Sequence, residues 1–403
     1  MRRKASAKFG VSLIALAAAA PAMAQSSVTL YGIVTTGAGY QNSSGTLGST
    51  AGGHSVFKMI TGIWAGSRFG FKGSEDLGGG TRAIFVLEAG YNSLTGATSF
   101  ANEIFSRQSW VGVTNSSYGT LTAGRQYTSY YALLGPYGPT TWLTGYYGAH
   151  PGDIDGLDTS YRTNNMLVYT SPSFKGLTVS GSYALGGVPG HIERGSSWSA
   201  AAQYLNGPFV VAAGIQRSTN STPGGGEWGT DSTLNSGGQP AVSAINYGYR
   251  LNQAQQRVAV VGAYTFNSSW DVSASYSNVQ YIPGINSGFR DEAIFNTAGA
   301  VLHFRPVVQW DLSGGYSYTA ATKANGIKDP ARYHQFTLTQ YYSLSKRTGL
   351  YVVEAYQRAT GKTLGGDQKT IVNATASIGD GQNSTPSSSG SQVAVGLGII
   401  HRF

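Results

Sequence analysis

From Val28 onward, apolar and polar residues alternate in stretches of about ten, a side-chain period of two. The last stretch is the clearest. Val393, Val395, Leu397, Ile399, His401 and Phe403 share one parity, and Ala394, Gly396, Gly398, Ile400 and Arg402 share the other. Likewise Trp270, Val272, Ala274 and Tyr276 alternate with Asp271, Ser273, Ser275 and Ser277. Such a period describes strands whose two faces meet different surroundings, one apolar and one polar. Sixteen segments of this kind fall near 28–40, 64–73, 81–91, 105–114, 119–127, 162–171, 177–185, 197–205, 209–217, 257–266, 270–279, 294–304, 308–318, 333–343, 348–358 and 393–403. Short connections such as Asn115-Ser116-Ser117-Tyr118, Asn206-Gly207-Pro208 and Asn267-Ser268-Ser269 carry turn residues. The long connections 128–161, 218–256 and 359–392 are rich in Gly, Ser, Thr and Asn. Segments 241–251 and 369–378 read either as extra strands or as loop extensions.

This pattern predicts an all-β protein, a transmembrane antiparallel β-barrel of about sixteen strands with short turns at one rim and long loops at the other. A soluble β-sandwich would also alternate. Against it stand Tyr31, Tyr40, Tyr91, Trp110, Tyr169, Tyr183, Tyr264, Trp270, Tyr276, Trp310 and Tyr351, which lie within or near strand ends, where amphipathic rings meet a membrane interface. Composition points the same way. Only 11% of residues are charged, against about 25% in ordinary globular proteins. Beyond the N-terminal segment no run approaches the roughly eighteen apolar residues of a spanning helix, so spans must be strands. With no cysteine in the chain, hydrogen-bond closure is left to hold the fold.

The N-terminus predicts export. Arg2, Arg3, Lys4 and Lys8 precede the apolar run Val11 to Ala20, which ends in Ala22-Met23-Ala24, a signal peptide over 1–24 cut between Ala24 and Gln25. Residues 25–403 then form a single barrel domain. The formal net charge is +9, but the basic residues beyond those four are scattered singly, so no nucleic-acid partner is expected. The six histidines are dispersed, and neither a nucleophile elbow nor a metal-ligand cluster is present. Gly78-Gly79-Gly80 lacks the Lys-Ser/Thr of a phosphate loop. No enzyme activity, cofactor or metal is expected.

Several stretches together resemble the Gram-negative general porins, in particular their β-proteobacterial branch. They are Ser27 to Gly32, Ser67 to Gly78, Phe105-Ser106-Arg107-Gln108, Gly119 to Gln126 and the terminal Phe403. The resemblance implies a sixteen-stranded homotrimeric barrel in the outer membrane, with short periplasmic turns, long extracellular loops and a third loop folded into the pore. The implied partners are outer-membrane lipid and lipopolysaccharide, the assembly machinery that reads Phe403, and the small hydrophilic solutes that pass.

The resemblance also makes Arg68, Arg107 and Arg162 the basic wall of a constriction, and parity supports this independently. Phe69 and Phe71 face out, so Arg68 and Lys72 face in. Leu167 and Tyr169 face out, so Arg162, Asn164 and Met166 face in, and with Trp110 out Arg107 is in. Arg125 shares the parity of Leu121 and turns inward only at a bulge or a strand end. The third loop, about 128–161, should set Asp153, Asp155 and Asp158 against the arginines, with Glu88 and Glu103 as further candidates. The loop lacks the family's usual Pro-Glu-Phe run, and Thr35 stands where a lumen aspartate is common. Fewer lumen acids with retained arginines predict mild anion preference.

Overall fold

A computed structural model describes residues 27–100, 102–158, 162–228, 242–380 and 386–403. The signal segment, with Ala24 and Gln25, lies outside the described residues. The strands are β1 (Ser27–Ser44), β2 (His54–Ile60), β3 (Arg68–Gly78), β4 (Thr81–Gly90), β5 (Gln108–Asn115), β6 (Gly119–Gln126), β7 (Thr163–Thr170), β8 (Leu177–Ala184), β9 (Ser197–Asn206) and β10 (Phe209–Thr219). They continue with β11 (Ala254–Thr265), β12 (Trp270–Ile282), β13 (Ala293–Val307), β14 (Trp310–Ala321), β15 (Arg332–Ser343), β16 (Thr348–Thr360), β17 (Lys362–Leu364), β18 (Ile371–Asn373) and β19 (Ser391–Arg402). Each of the sixteen expected segments overlaps a strand. Every strand except β17 and β18 joins one antiparallel sheet, which closes where β19 pairs with both β16 and β1. Closure satisfies the backbone groups that an open edge would leave bare in lipid.

Seventeen strands make sixteen staves, because β2 and β3 share one. The lower half of β1, Ser27 to Ile33, pairs with β3, and its upper half, Gly37 to Ser44, pairs with β2. Between them residues 61–67 leave the ladder, and hydroxyls replace the missing backbone partners of Thr35. Its N–H donates to Ser67 Oγ at 3.1 Å, and its carbonyl accepts from Thr61 (3.1 Å), Ser67 (3.1 Å) and Ser93 (2.6 Å). The excursion drives Ile63 into the lumen, where it is fully buried. It fits because residue 396 is glycine: a Cβ there would lie 2.4 Å from Ile63 Cδ1.

Turn chemistry seals the short-turn rim. Asn115 Oδ1 accepts from the N–H of Ser117, Asn267 Oδ1 from Ser269 and Trp270, and Asp76 Oδ1 from Gly78. Gly78, Gly79 and Gly80 all have positive φ, which explains a triple glycine with no ligand role. Of the two ambiguous segments, 369–378 contributes only the short β18, which pairs with β17 outside the barrel sheet. Over 241–251 the described residues hold a single tight helical turn, Tyr247–Tyr249.

The two faces separate largely as parity predicts. Phe69, Phe71, Leu167, Tyr169, Val260, Tyr276 and Leu338 are exposed on the outer surface. Some aromatics turn the other way. Trp110 shares the inner face with Gln108, to whose Oε1 it donates at 3.0 Å, while Val111 and Val113 hold the lipid side. Tyr31 points inward to Glu88, and Tyr351 is buried against Thr35. Each hydroxyl or indole N–H finds a lumen partner, which lets an amphipathic ring stand inside.

The connection between β6 and β7 folds into the barrel. Its helix α1 (Ser129–Leu134) is capped by Thr128, whose side chain accepts from Tyr131 N–H. Tyr130, Leu134 and Leu157 pack on Ala201, Ala212, Ala259 and Val261, so small lumen side chains make the room for the loop. The walls then pin its backbone. Gln335 Nε2 donates to the carbonyls of Tyr147 (3.0 Å) and Ala149 (2.7 Å), Arg257 Nε to Ile154 (2.8 Å) and Ser313 Oγ to Leu143 (2.7 Å). The third loop's amide at Tyr146 also donates to the Ile63 carbonyl at 3.0 Å.

Candidate functional site

The inward loop and the arginine-bearing wall flank a passage with a volume of about 710 Å³. Arg68, Arg107 and Arg162 all line it, together with Tyr127, Asp158 and Asp380. One strand and two positions just ahead of strands deliver the guanidiniums. Arg68 opens β3 and donates Nε to the Gly66 carbonyl at 2.9 Å. Arg107 immediately precedes β5; its backbone N–H bonds Glu88 O, and its Nε meets Glu88 Oε1 at 2.7 Å. It therefore faces in although Trp110 does too, because regular alternation begins only at Gln108. Arg162 immediately precedes β7 and is buried.

Tyr127 ties the wall together. Its hydroxyl oxygen accepts from Arg107 Nη2 at 3.1 Å and from Arg162 Nη2 at 2.8 Å, and the Arg162 guanidinium lies 4.8 Å from its ring centroid. Sequence reading missed it, though its signal was present: it is the residue that follows β6, directly before the inward loop.

The acidic residues are distributed differently from the expectation. Glu88 is buried behind Arg107, where Tyr31 donates to its other oxygen at 3.0 Å. Asp155 is fully buried in the loop's body. Its Oδ2 meets His150 Nδ1 at 2.6 Å and accepts from Ser277 Oγ at 2.7 Å, fastening the loop to β12. Asp153, also buried, accepts from the Asp158 N–H at 2.9 Å and shapes the turn beneath it. Of the three loop aspartates only Asp158 reaches the passage. Burial, Asp153 and Asp380 together push its carboxyl well above the usual carboxylate range. Asp380, in the last long connection, went unforeseen, since nothing in a Gly/Ser-rich segment marks it as inward. Arg125 stands apart from the passage. A register shift between Gly124 and Gln126 frees it, and it donates to Ser106 O (2.7 Å) and Asn164 Oδ1 (2.6 Å), with Glu103 at 3.6 Å. Among the described residues, no group of three or more His, Asp or Glu could hold a metal ion.

A family model described as Gram-negative porin matches residues 10–362. The chain belongs to the Gram-negative porins. Outer membrane porin protein 32 of Delftia acidovorans is 27% identical over 98% of this chain and 99% of its own length. An outer membrane porin protein of Bordetella pertussis is 38% identical over 39% of this chain, a stretch that spans 42% of the Bordetella protein. In fold the porin is similar to an anion-selective porin from Comamonas acidovorans, with a TM-score of 0.67 at 22% identity over 94% of this chain and 100% of that one. It is also similar to OmpT of Vibrio cholerae solved in a trimer form, with a TM-score of 0.62 at 15% identity over 94% and 99% of the two chains. The protein is therefore an outer-membrane diffusion channel, a closed sixteen-stave barrel narrowed from within by its third loop.

Proposed function

We propose that this porin passes ions and small hydrophilic solutes without specific binding, and that Arg68, Arg107 and Arg162 give it a mild anion preference. One observation carries the reading: three guanidiniums line the passage, while of the expected opposing carboxylates only Asp158 reaches it, beside Asp380. Glu88 and Asp155 are buried behind partners, and burial, with Asp153 and Asp380 beside it, pushes Asp158 toward its neutral form. Positive groups fixed around a narrow, low-dielectric passage raise the local concentration of anions. The anion selectivity named for the Comamonas porin, similar in fold, supports the same reading.

The porin's proposed state is a homotrimer, as in the trimer form of OmpT. Glu354, at the midpoint of β16, lies on the outer face level with Val395, Tyr40 and Phe57 across β19, β1 and β2. A carboxylate held mid-wall against lipid is costly, so this face suits a neighbouring protomer better than acyl chains. The remaining outer surface meets lipid and lipopolysaccharide. Phe403, whose N–H and carbonyl both bond Gly32, is the last residue to close the barrel, which suits a signal read by the assembly machinery beforehand. Residues 1–24 are the signal peptide, removed between Ala24 and Gln25.

Swelling of liposomes carrying the purified porin tests this. Neutral sugars should enter at rates that fall with size and are indifferent to identity, and an anionic solute should outpace a cationic one of equal size. Saturable uptake of a single solute would instead mark a specific channel.

A further inference from the structure

We infer that Tyr127 is a specificity-determining residue of the constriction, a phenol whose ionisation cancels one of the three arginine charges and so turns anion preference down at alkaline pH. The inference rests on the arginine-wall reading above.

The geometry is that of an oxygen held for a negative charge. Both of its hydrogen bonds have a guanidinium donating, Arg107 from one side and Arg162 from the other, and the Arg162 plane also covers the ring. Hydrogen bonds from charged donors strengthen when the acceptor is an anion. The other groups facing this oxygen come from every element around it. Arg68 of β3 adds a third positive charge, and Glu88 of β4 opposes it from behind Arg107 with Tyr31 of β1. Tyr131 of α1 stands 5.1 Å away ring to ring, and Asp158 and Asp380 line the same passage. Burial pushes the phenol up, but Arg107, Arg162 and Arg68 outweigh it and bring it down to about 8, against an ordinary value of 10.0. On ionisation the proton leaves to lumen water, the phenolate keeps both arginine bonds, and the wall's net charge drops by one without any movement of the chain. The arginines alone cannot titrate in this range. A fall in selectivity over this range that disappears with the phenol therefore reports Tyr127 and not the guanidiniums.

Reversal potentials across a salt gradient, taken with the full-length porin from about pH 6.5 to about pH 9.5, provide the test. The wild type should lose anion-over-cation permeability by roughly threefold, the effect of about half a kT in local potential acting oppositely on the two ions, with a midpoint near that of the phenol. Tyr127→Phe should hold its selectivity across the same range, and Tyr131→Phe should reproduce the wild-type fall. A flat wild-type profile, or an equal fall in Tyr127→Phe, overturns the inference. Failure of the underlying reading looks different: the wild type would then show no anion preference even at the acid end. If Tyr127→Phe does not fold, the tyrosinate absorbance of the wild type decides. One tyrosine should ionise well before the ordinary value of about 10, and none doing so overturns the inference.

Discussion

Replacing Arg68, Arg107 and Arg162 together by serine is expected to abolish the anion preference while raising conductance. Three fixed positive charges around one passage contribute a potential of several kT, and each ~1.4 kcal/mol is tenfold in a ratio, so the anion-to-cation permeability ratio should fall by more than about tenfold. The passage should widen as well, because three long side chains leave it. The barrel should still assemble, since Arg107 and Arg162 lie outside the strand ladder and Arg68 stands at the end of β3. Removing Arg107 leaves Glu88 buried without its 2.7 Å partner, so Glu88→Gln belongs in the same variant. Single-channel recording in planar bilayers reads both quantities. Unchanged conductance and selectivity would place the constriction elsewhere.

The second large effect concerns the loop rather than the wall. Asp155→Ala leaves the buried His150 imidazolium without its counter-ion, and breaking such a pair from one side costs about 3–5 kcal/mol. The stave ladder is untouched by that change, so the expected outcome is an undocked third loop inside an intact barrel. Conductance should rise and fluctuate, and protease should cut within 128–158 in the variant only. Removing both partners, His150→Leu with Asp155→Leu, should cost less than the single change, because no buried charge is stranded. The same pair sets a pH window for docking. Burial alone would raise Asp155 and lower His150, but each ion outweighs it for the other, so Asp155 titrates below its ordinary value and His150 above. The Asp155 contribution is present above about pH 4 and is lost as pH falls through its lowered value. The His150 contribution is complete below about pH 6.5 and is lost as pH rises through its raised value. Steady wild-type conductance in Asp155→Ala would show that Gln335, Arg257 and Ser313 suffice to hold the loop.

The barrel was legible in the sequence because lipid demands an apolar outer face, and each stave whose inner face is small or polar then alternates visibly. Legibility failed wherever the lumen is not watery. Tyr281, Phe295 and Tyr333 face inward yet are apolar, because the long connections press Ile245, Phe289 and Leu364 against them. Period two cannot tell that packed interior from lipid, and the same ambiguity put Trp110 on the wrong face. β2 escaped notice because His54-Ser55-Val56-Phe57-Lys58-Met59-Ile60 carries apolar residues on both parities and is cut off from β3 by the excursion at 61–67. At the site, Arg68 could be placed by parity. Arg107 and Arg162 face inward for a different reason, the irregular backbone before β5 and the register shift at the start of β7. The fate of the aspartates could not be read at all. Asp153, Asp155 and Asp158 are two or three residues apart on one loop, and only its three-dimensional course decides which is a tether, which a turn and which a wall.

The most direct test of an arginine-dominated constriction is the zero-current potential of the wild-type porin in a planar bilayer under a salt gradient near neutral pH. The arginine wall predicts a potential whose sign reports faster anion than cation passage, shrinking as ionic strength screens the fixed charges. A potential of the opposite sign, with cations passing faster, would contradict it.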